Sequence, residues 1–361
     1  MKIGIVTQPL QENYGGYLQN YALQYALKKI GHEPITIDYG NRISVWRFIV
    51  SSIRSCLFYL IPNRRRPFAK FRETRSNIRK EIFNSFIEKN IAKTEATNKY
   101  YSSFIKKYNI EALITGSDQV WRPLYNRNIE DMFLRFAQNA EIKKIAYAAS
   151  FGTDKWEYTP SQTEKCRRLA MELNAVSVRE YSGVNLCKRY LHIDASVVLD
   201  PTLLLTSQDY SSLCNHISRE KTSFIAAYIL DLNESILKLL NSISRIHNIE
   251  LKVFRAEGNS ALSIEEWLAV FRDAQYVVTD SFHGTIFSII FNKQFVCLGN
   301  KSRGNARFDS LLTTFGLQSR LVENNNEVYD LLSSPINWGE LHPILEAKRK
   351  ESIGFLVNAL K

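Results

Sequence analysis

Residues 274–300 read AQYVVTDSFHGTIFSIIFNKQFVCLGN, and this stretch carries the clearest fold signal in the chain. Residues 276–278 form a short β-favouring run that is typical of a buried parallel strand. Asp280 and Ser281 follow with side-chain oxygens suited to capping a helix. Ile286, Phe287, Ile289 and Ile290 make the helix apolar, and residues 295–298 form the next strand. The stretch therefore predicts a strand–helix–strand unit of a parallel α/β sheet.

His283 lies in this stretch where the strand ends and the helix begins. In open α/β sheets the ligand binds at this edge. The start of a helix also offers free N–H groups and a partial positive charge, which suit an anion. A histidine at a helix start is as often only a cap or a satisfied core residue. On chemistry alone, both interpretations stay open.

The length of 361 residues exceeds one simple core, and we expect two domains. Five scattered cysteines without a CxxC pair indicate neither a disulfide framework nor a zinc site, and they favour a reducing compartment. We expect no metal and no bound cofactor. The first apolar run is too short for a signal peptide, and no apolar stretch is long enough to span a bilayer.

The alternation of strands and helices begins at residue 3 and restarts at residue 224. The pattern predicts two Rossmann-like α/β domains that face each other across a cleft. No GxGxxG follows the first strand, which argues against a dinucleotide. We place an N-terminal domain at 1–210, a C-terminal domain at 211–339, and a terminal helix at 340–361 that packs back across both.

Residues 42–92 interrupt this alternation within the first domain. They contain 12 Lys/Arg against three Glu, so they carry +9 of the net charge of +11. Aromatic residues such as Phe83 and Phe86 are interleaved with the charges. A basic amphipathic helical insertion of this kind suits an anionic membrane surface. Helices packed on the core or on a dimer partner are the alternative, and no nucleic-acid motif accompanies the charge.

Polar residues follow three of the predicted strands and compete for the site. Arg179 suits a bidentate contact with a carboxylate or phosphate, although the residues alone favour a structural salt bridge to Glu180 or another acid slightly more. His283 suits acid–base chemistry near neutral pH. Asp118 either accepts a proton from a hydroxyl or caps a helix. Asn13 to Gly16 form a polar loop at a strand end, where the glycines either line a site or make a turn.

Seven short motifs follow one another along the chain. They are NYG at 13–15 before LQNYALQ at 18–24, GSDQVW at 116–121, AYAASFG at 146–152, SVRE at 177–180, LDPT at 199–202, TDSFHG at 279–284 and NARF at 305–308. Each motif is weak alone. Together they resemble the polysaccharide pyruvyl transferase family over most of the chain.

The resemblance implies a GT-B-like fold and the transfer of the pyruvyl unit of phosphoenolpyruvate onto a sugar diol as a ketal, with release of phosphate. It assigns Arg179 and His283 to the donor site. The arginine of the family's Ser-Arg-x-His motif is Ser281 here, and we expect Arg303 or Arg307 to supply the missing charge. The predicted donor-site residues are Arg179, Ser281, Phe282, His283, Gly284, Thr285, Arg303 and Arg307.

His283 is the predicted proton donor and Asp118 the predicted base. The predicted acceptor-binding residues are Asn13, Tyr14, Gly15, Gly16, Ser117 and Gln119. Bacterial acceptors of this class are often sugars on a polyprenyl diphosphate. The resemblance therefore implies a cytoplasmic enzyme of capsule or exopolysaccharide synthesis, held at the inner face of the membrane by residues 42–92.

Phosphoenolpyruvate is a co-substrate in this interpretation, nucleic acid is not a partner, and a homodimer is left open. A GT-B glycosyltransferase with a nucleotide-sugar donor is the first alternative. A non-catalytic protein of polysaccharide assembly is the second. The retained Arg179 and His283 argue against the second, whereas the serine at position 281 gives it some weight.

Overall fold

The computed structural model describes residues 1–10, 13–39, 83–97, 99–255, 262–299, 305–323 and 327–361. The predicted donor-site residue Arg303 and positions 42–82 of the predicted basic insertion lie outside the described residues.

The first sheet has six parallel strands in the order β2-β1-β3-β4-β5-β6. Its central strands are almost uniformly apolar because helices cover both faces. The strands are β1 Lys2–Val6, β2 Glu33–Thr36, β3 Ala112–Thr115, β4 Lys143–Ala149, β5 Ala175–Val178 and β6 Ser196–Val197.

The second sheet has five parallel strands in the order β11-β10-β9-β7-β8. The strands are β7 Phe224–Tyr228, β8 Glu250–Phe254, β9 Tyr276–Thr279, β10 Gln294–Leu298 and β11 Leu321–Val322. The two predicted parallel-sheet α/β units are thus confirmed. Strand order reverses between β1 and β3 in the first sheet and between β7 and β9 in the second, and ligands bind at such switch points.

Eleven helices have both ends within the described residues, and residues 83–90 are helical as well. They are α1 Tyr14–Lys29, α2 Ser103–Lys107, α3 Pro160–Ala170, α4 Tyr181–Leu186, α5 Ser207–Leu213, α6 Glu234–His247, α7 Ile264–Asp273, α8 Phe282–Ile290, α9 Ala306–Thr314, α10 Val328–Ser333 and α11 Trp338–Leu360. A π turn, Cys187–Leu191, continues α4, and a 3-10 turn, Pro201–Leu204, follows β6.

Helix α1 begins earlier than the sequence predicts. Asn13 is its N-cap, since the side-chain oxygen accepts a hydrogen bond from the Gly15 N–H at 3.1 Å. Tyr14, Gly15 and Gly16 therefore belong to the first helical turn. The expectation of a polar loop through Gly16 is wrong, because a capping side chain outweighs the low helix propensity of two glycines.

Helix α8 begins where the sequence predicts, but with one cap instead of two. The Ser281 hydroxyl accepts a hydrogen bond from the Gly284 N–H at 3.3 Å. Asp280 is not a cap of this helix. Its carboxylate accepts from the backbone N–H groups of Leu230 at 2.6 Å and Asp231 at 2.9 Å. It therefore ties the end of β9 to the loop that follows β7.

The described end of the predicted insertion packs on the core. Phe83 and Phe86 are buried, and the Phe83 ring lies 5.2 Å from the Tyr14 ring and 5.0 Å from the Tyr17 ring. These two phenylalanines therefore cover α1 and do not face a membrane. Within the described part of the chain, every helix is too short or too polar to cross a bilayer.

The terminal helix α11 contacts both halves of the chain. The Leu199 N–H donates to the Ser352 hydroxyl at 3.0 Å, and Arg349 Nε donates to the Leu203 carbonyl at 2.8 Å. His342 Nε2 lies 2.9 Å from Asn292 Oδ1 in the second half. These contacts place α11 beside the gap between the two sheets.

Candidate active site

The carboxyl ends of β3, β5 and β9 bring three of the predicted residues together. Arg179 Nη1 lies 2.6 Å from Asp200 Oδ2, and Arg179 Nη2 lies 3.6 Å from Asp118 Oδ1. His283 Nε2 lies 3.7 Å from the same Asp200 oxygen. Residues of both sheets therefore converge on Asp200, for which we predicted no role from the sequence.

Asp200 lies shortly after β6, the last strand of the first sheet, and caps the turn at Pro201–Leu204. One carboxylate oxygen accepts from the backbone N–H and hydroxyl of Thr202, at 3.0 and 2.6 Å. Burial opposes ionisation, but the nearby imidazole of His283 and the charge of Arg179 hold the pKa of Asp200 well below its usual value. The ionised carboxylate therefore fixes both side chains. Its position at a strand end is the signal that would have identified it.

Two guanidinium groups contact the ring of Phe282. The Cζ of Arg179 lies 4.6 Å from the ring centroid, and the Cζ of Arg307 lies 5.3 Å from it. Both arginines are buried, with 5% and 8% of their surface exposed. The structure thus brings Arg307 into the candidate site. Arg307 is one of the two arginines, with Arg303, that we predicted to replace the family's missing arginine.

Several buried nitrogens of this cluster have no hydrogen-bond partner among the residues that the structure describes. They are Nε and Nη2 of Arg179, Nε of Arg307 and Nε2 of His283. Unsatisfied buried donors are rare and cost free energy. Burial, with a further contribution from the neighbouring Arg179 charge, lowers the pKa of Arg307 to about 10. The cluster is therefore suited to a bound anion.

Gly15 packs directly against the imidazole of His283. A Cβ built on Gly15 would overlap Nδ1, Cγ and Cε1 of that ring. A Cβ on the neighbouring Gly16 would meet its nearest atom, the Asn13 Cβ, only at 3.6 Å. Glycine at position 15 therefore allows α1 to approach α8 closely. It does not make a turn, which was one of the two roles considered from the sequence.

The two polar residues after β3 have local partners. Asp118 has a φ of 69°, and its Oδ1 accepts from the Gln119 N–H at 2.8 Å, so it lies in a turn and does not cap a helix. The Ser117 hydroxyl donates to Asp200 Oδ2 at 3.3 Å. The Gln119 side chain accepts from Arg122 Nη1 at 3.1 Å. Ser117 and Asp118 thus line the cluster, and the Gln119 side chain is directed towards Arg122.

Other predicted site residues shape the backbone around the cluster. Tyr14 is fully buried, and its hydroxyl donates to the Leu262 carbonyl at 2.7 Å. The Thr285 hydroxyl donates to the Ser281 carbonyl at 3.1 Å within α8. A Cβ on Gly284 would overlap the Thr279 hydroxyl, so glycine is needed there for close packing.

Glu180 is not the partner of Arg179. Its Oε1 accepts from the N–H groups of Phe151 at 2.7 Å and Gly152 at 3.1 Å. Burial raises the pKa of Glu180, although Arg179 opposes this. The salt bridge considered for Arg179 from the sequence therefore exists, but its partner is Asp200.

The molecule has two parallel-sheet α/β units in a GT-B-like arrangement, with charged residues meeting between them. This confirms the two predicted Rossmann-like domains, whereas the predicted basic insertion stays a prediction. MnaA of S. aureus, solved with UDP, covers 100% of this chain at 10% identity and a TM-score of 0.52, with 95% of that chain covered.

UDP-GlcNAc 2-epimerase of Methanocaldococcus jannaschii is similar at 11% identity and a TM-score of 0.53, with 99% of both chains covered. The corresponding enzyme of Rickettsia bellii gives 10% identity and a TM-score of 0.51, with 100% of this chain and 97% of that chain covered. At these identities the similarity shows the fold alone. No curated protein matches the sequence.

The family is shown by the sequence itself. The profile described as "Polysaccharide pyruvyl transferase" matches residues 13–302. The chain therefore belongs to the polysaccharide pyruvyl transferase family, as its motifs predict, and it is a pyruvyltransferase that acts on a sugar acceptor.

Proposed function

We propose that the protein transfers the pyruvyl unit of phosphoenolpyruvate onto two neighbouring hydroxyls of a sugar, forming a ketal and releasing phosphate. One observation carries this proposal. Arg179, Arg307 and His283 converge in the gap between the sheets with buried nitrogens that lack partners among the described residues. A small donor with two anionic groups satisfies these nitrogens.

Two anionic groups on the donor require two separate cations. Arg307 supplies the charge that the family's arginine has at the position of Ser281. Because Arg179 and Arg307 both contact the Phe282 ring, their separation is fixed by that ring. Phosphate and carboxylate oxygens form strong charge-assisted hydrogen bonds with guanidinium groups.

His283 acts as the acid in this proposal. Its proton goes to the methylene carbon of the donor, which becomes a methyl group, and the central carbon becomes cationic. The oxygen of the first sugar hydroxyl bonds to that carbon, and its proton goes to Asp118. The bond from the central carbon to the phosphate oxygen then breaks, and its electron pair leaves with the phosphate.

The second sugar hydroxyl bonds to the same carbon and closes the ketal. The proton held by Asp118 passes to the departing phosphate, and the proton of the second hydroxyl restores His283, so the two hydroxyl protons balance the reaction. Arg179 and Arg307 hold the anionic groups throughout, so the site stabilises developing charge without rearranging.

Phosphate release tests the activity. We expect the purified chain to release phosphate from phosphoenolpyruvate when a lipid-linked sugar diol is present. His283→Asn should lower the rate by at least about 100-fold, since general acid catalysis contributes that much. His342→Asn, which changes an exposed histidine of α11, is the control. A near-normal rate in His283→Asn would refute the assignment, and a nucleotide product would favour glycosyl transfer instead.

We further propose that the acceptor sugar is linked to a polyprenyl diphosphate and that the enzyme docks on an anionic membrane. The support is the +9 charge of residues 42–92, of which 42–82 lie outside the described residues. Replacing Arg64, Arg65 and Arg66 with glutamine should reduce sedimentation with phosphatidylglycerol vesicles but not with neutral vesicles. Equal binding of the wild type and this variant to the anionic vesicles would argue that all of residues 42–92 packs on the core.

A further inference from the structure

A cavity of about 80 Å³ opens beside the charged cluster. Its inner wall contains Arg179, Asp200 and Phe282, which belong to the candidate site. Its outer wall comes from elements that the sequence did not connect with the site. The lining residues there include Ser310 and Thr314 of α9 and Lys348 of α11.

The outer wall is held in place by contacts between the two halves of the chain. The Tyr181 N–H donates to the Ser310 hydroxyl at 3.1 Å, and the Tyr181 hydroxyl lies 3.3 Å from the Thr314 hydroxyl. Tyr181 follows Arg179 closely in the sequence. The cavity is therefore formed by the docking of α9 onto the carboxyl end of β5.

Lys348 brings a second positive charge to this cavity. Its side chain is 40% exposed, and its Nζ lies 2.7 Å from Glu351 Oε2 on the same helix. An exposed pair of this kind is weak, so the ammonium group is free to exchange this partner for another anion. The cavity thus presents Arg179 at its inner end and Lys348 at its outer wall.

The size of the cavity limits what it holds. One water needs roughly 10–15 Å³ of such volume, so the space suits a compact tetrahedral anion. Arg307 is not among the described residues that line the cavity, although it contacts the Phe282 ring that does. Arg307 therefore serves a different part of the ligand.

We propose that this cavity is a phosphate subsite, in which Arg179 and Lys348 bind the phosphate group of the donor and hold inorganic phosphate after transfer. The carboxylate of the donor then lies towards Arg307. This proposal rests on the proposed function for the identity of the donor, but the binding of phosphate itself does not depend on turnover.

Calorimetric titration of the full chain with inorganic phosphate tests the subsite. Lys348→Met should weaken phosphate binding about tenfold, as expected for the loss of one charge-assisted contact. Lys350→Met, which changes an exposed lysine on the same helix, should bind as the wild type does. Lys348→Arg should retain most of the affinity, and Lys348→Gln should behave as the methionine variant does.

Glu351→Gln should strengthen phosphate binding, because it removes the anionic partner of Lys348. Equal affinities of Lys348→Met and Lys350→Met, or no phosphate binding by the wild type at millimolar concentration, would overturn the subsite. If phosphate binds through Lys348 but phosphoenolpyruvate releases none, the proposed function fails and the subsite stands. If turnover occurs but substitutions of Lys348 leave the affinity for phosphate unchanged, the subsite proposal is refuted and the proposed function stands.

Discussion

Replacing Arg307 with methionine should make the protein more stable and less able to bind its donor. The guanidinium is buried beside Arg179, and its pKa falls from its usual value to about 10 because of burial and that neighbouring charge. At 1.36 kcal/mol per pKa unit, the charged side chain costs about 3 kcal/mol in the fold. The cost is present below about pH 10 and disappears as the pH rises from there towards the usual pKa of arginine.

Methionine has a similar length and no charge, but it loses the cation–π contact with Phe282, which is worth about 0.5–2 kcal/mol. We therefore expect Arg307→Met to raise the free energy of unfolding by about 1–2 kcal/mol at neutral pH without donor. Phosphoenolpyruvate should bind at least about tenfold more weakly, because one charge-assisted contact is lost. Urea denaturation and calorimetric titration measure the two effects.

Arg320 provides a matched control for this variant. It is also a buried arginine, but its Nη1 and Nη2 donate to the carbonyls of Leu331 at 2.5 Å and Ser334 at 2.6 Å. Arg320→Met should therefore lower the free energy of unfolding. If Arg307→Met destabilises the protein as much as Arg320→Met does and leaves donor affinity unchanged, the reasoning about the anion site is refuted.

Three further predictions concern neighbouring residues. Gly15→Ala should lower kcat about 100-fold by displacing His283, whereas Gly16→Ala should keep near-normal kcat, and equal rates would contradict the close approach. Asp200→Asn should lower the free energy of unfolding by about 3–5 kcal/mol at neutral pH, measured by urea denaturation, and the loss should shrink progressively as the pH falls below about 4, because the stability from a lowered carboxyl pKa is complete above the usual pKa and declines towards the lowered one. Adding Ser281→Arg to Arg307→Met should restore the affinity for phosphoenolpyruvate. A dissociation constant equal to that of Arg307→Met alone would contradict this.

The strand–helix–strand unit at 274–300 was predictable because its apolar runs and the Ser281 cap are local signals. The convergence of Asp118, Arg179 and His283 was also predictable, since the carboxyl ends of parallel strands share one edge of a sheet. These two inferences depend only on sequence periodicity and on the topology of parallel sheets.

The partners of these residues were not predictable from the sequence. Asp200, and not the adjacent Glu180, binds Arg179 because the ends of the strands meet in space. Separation along the sequence does not show which of these acids lies near Arg179. Gly15 looks like a turn glycine, since nothing local shows that the His283 ring will lie against it. Phe83 has a spacing that fits a membrane face and a core face equally well, and only tertiary packing decides between them.

Equilibrium dialysis of labelled phosphoenolpyruvate against the full chain tests most directly whether the gap between the sheets holds this donor. We expect saturable binding of one molecule per chain, displaced by inorganic phosphate and unaffected by UDP. No saturable binding at millimolar concentration, or displacement of phosphoenolpyruvate by UDP but not by phosphate, would contradict it.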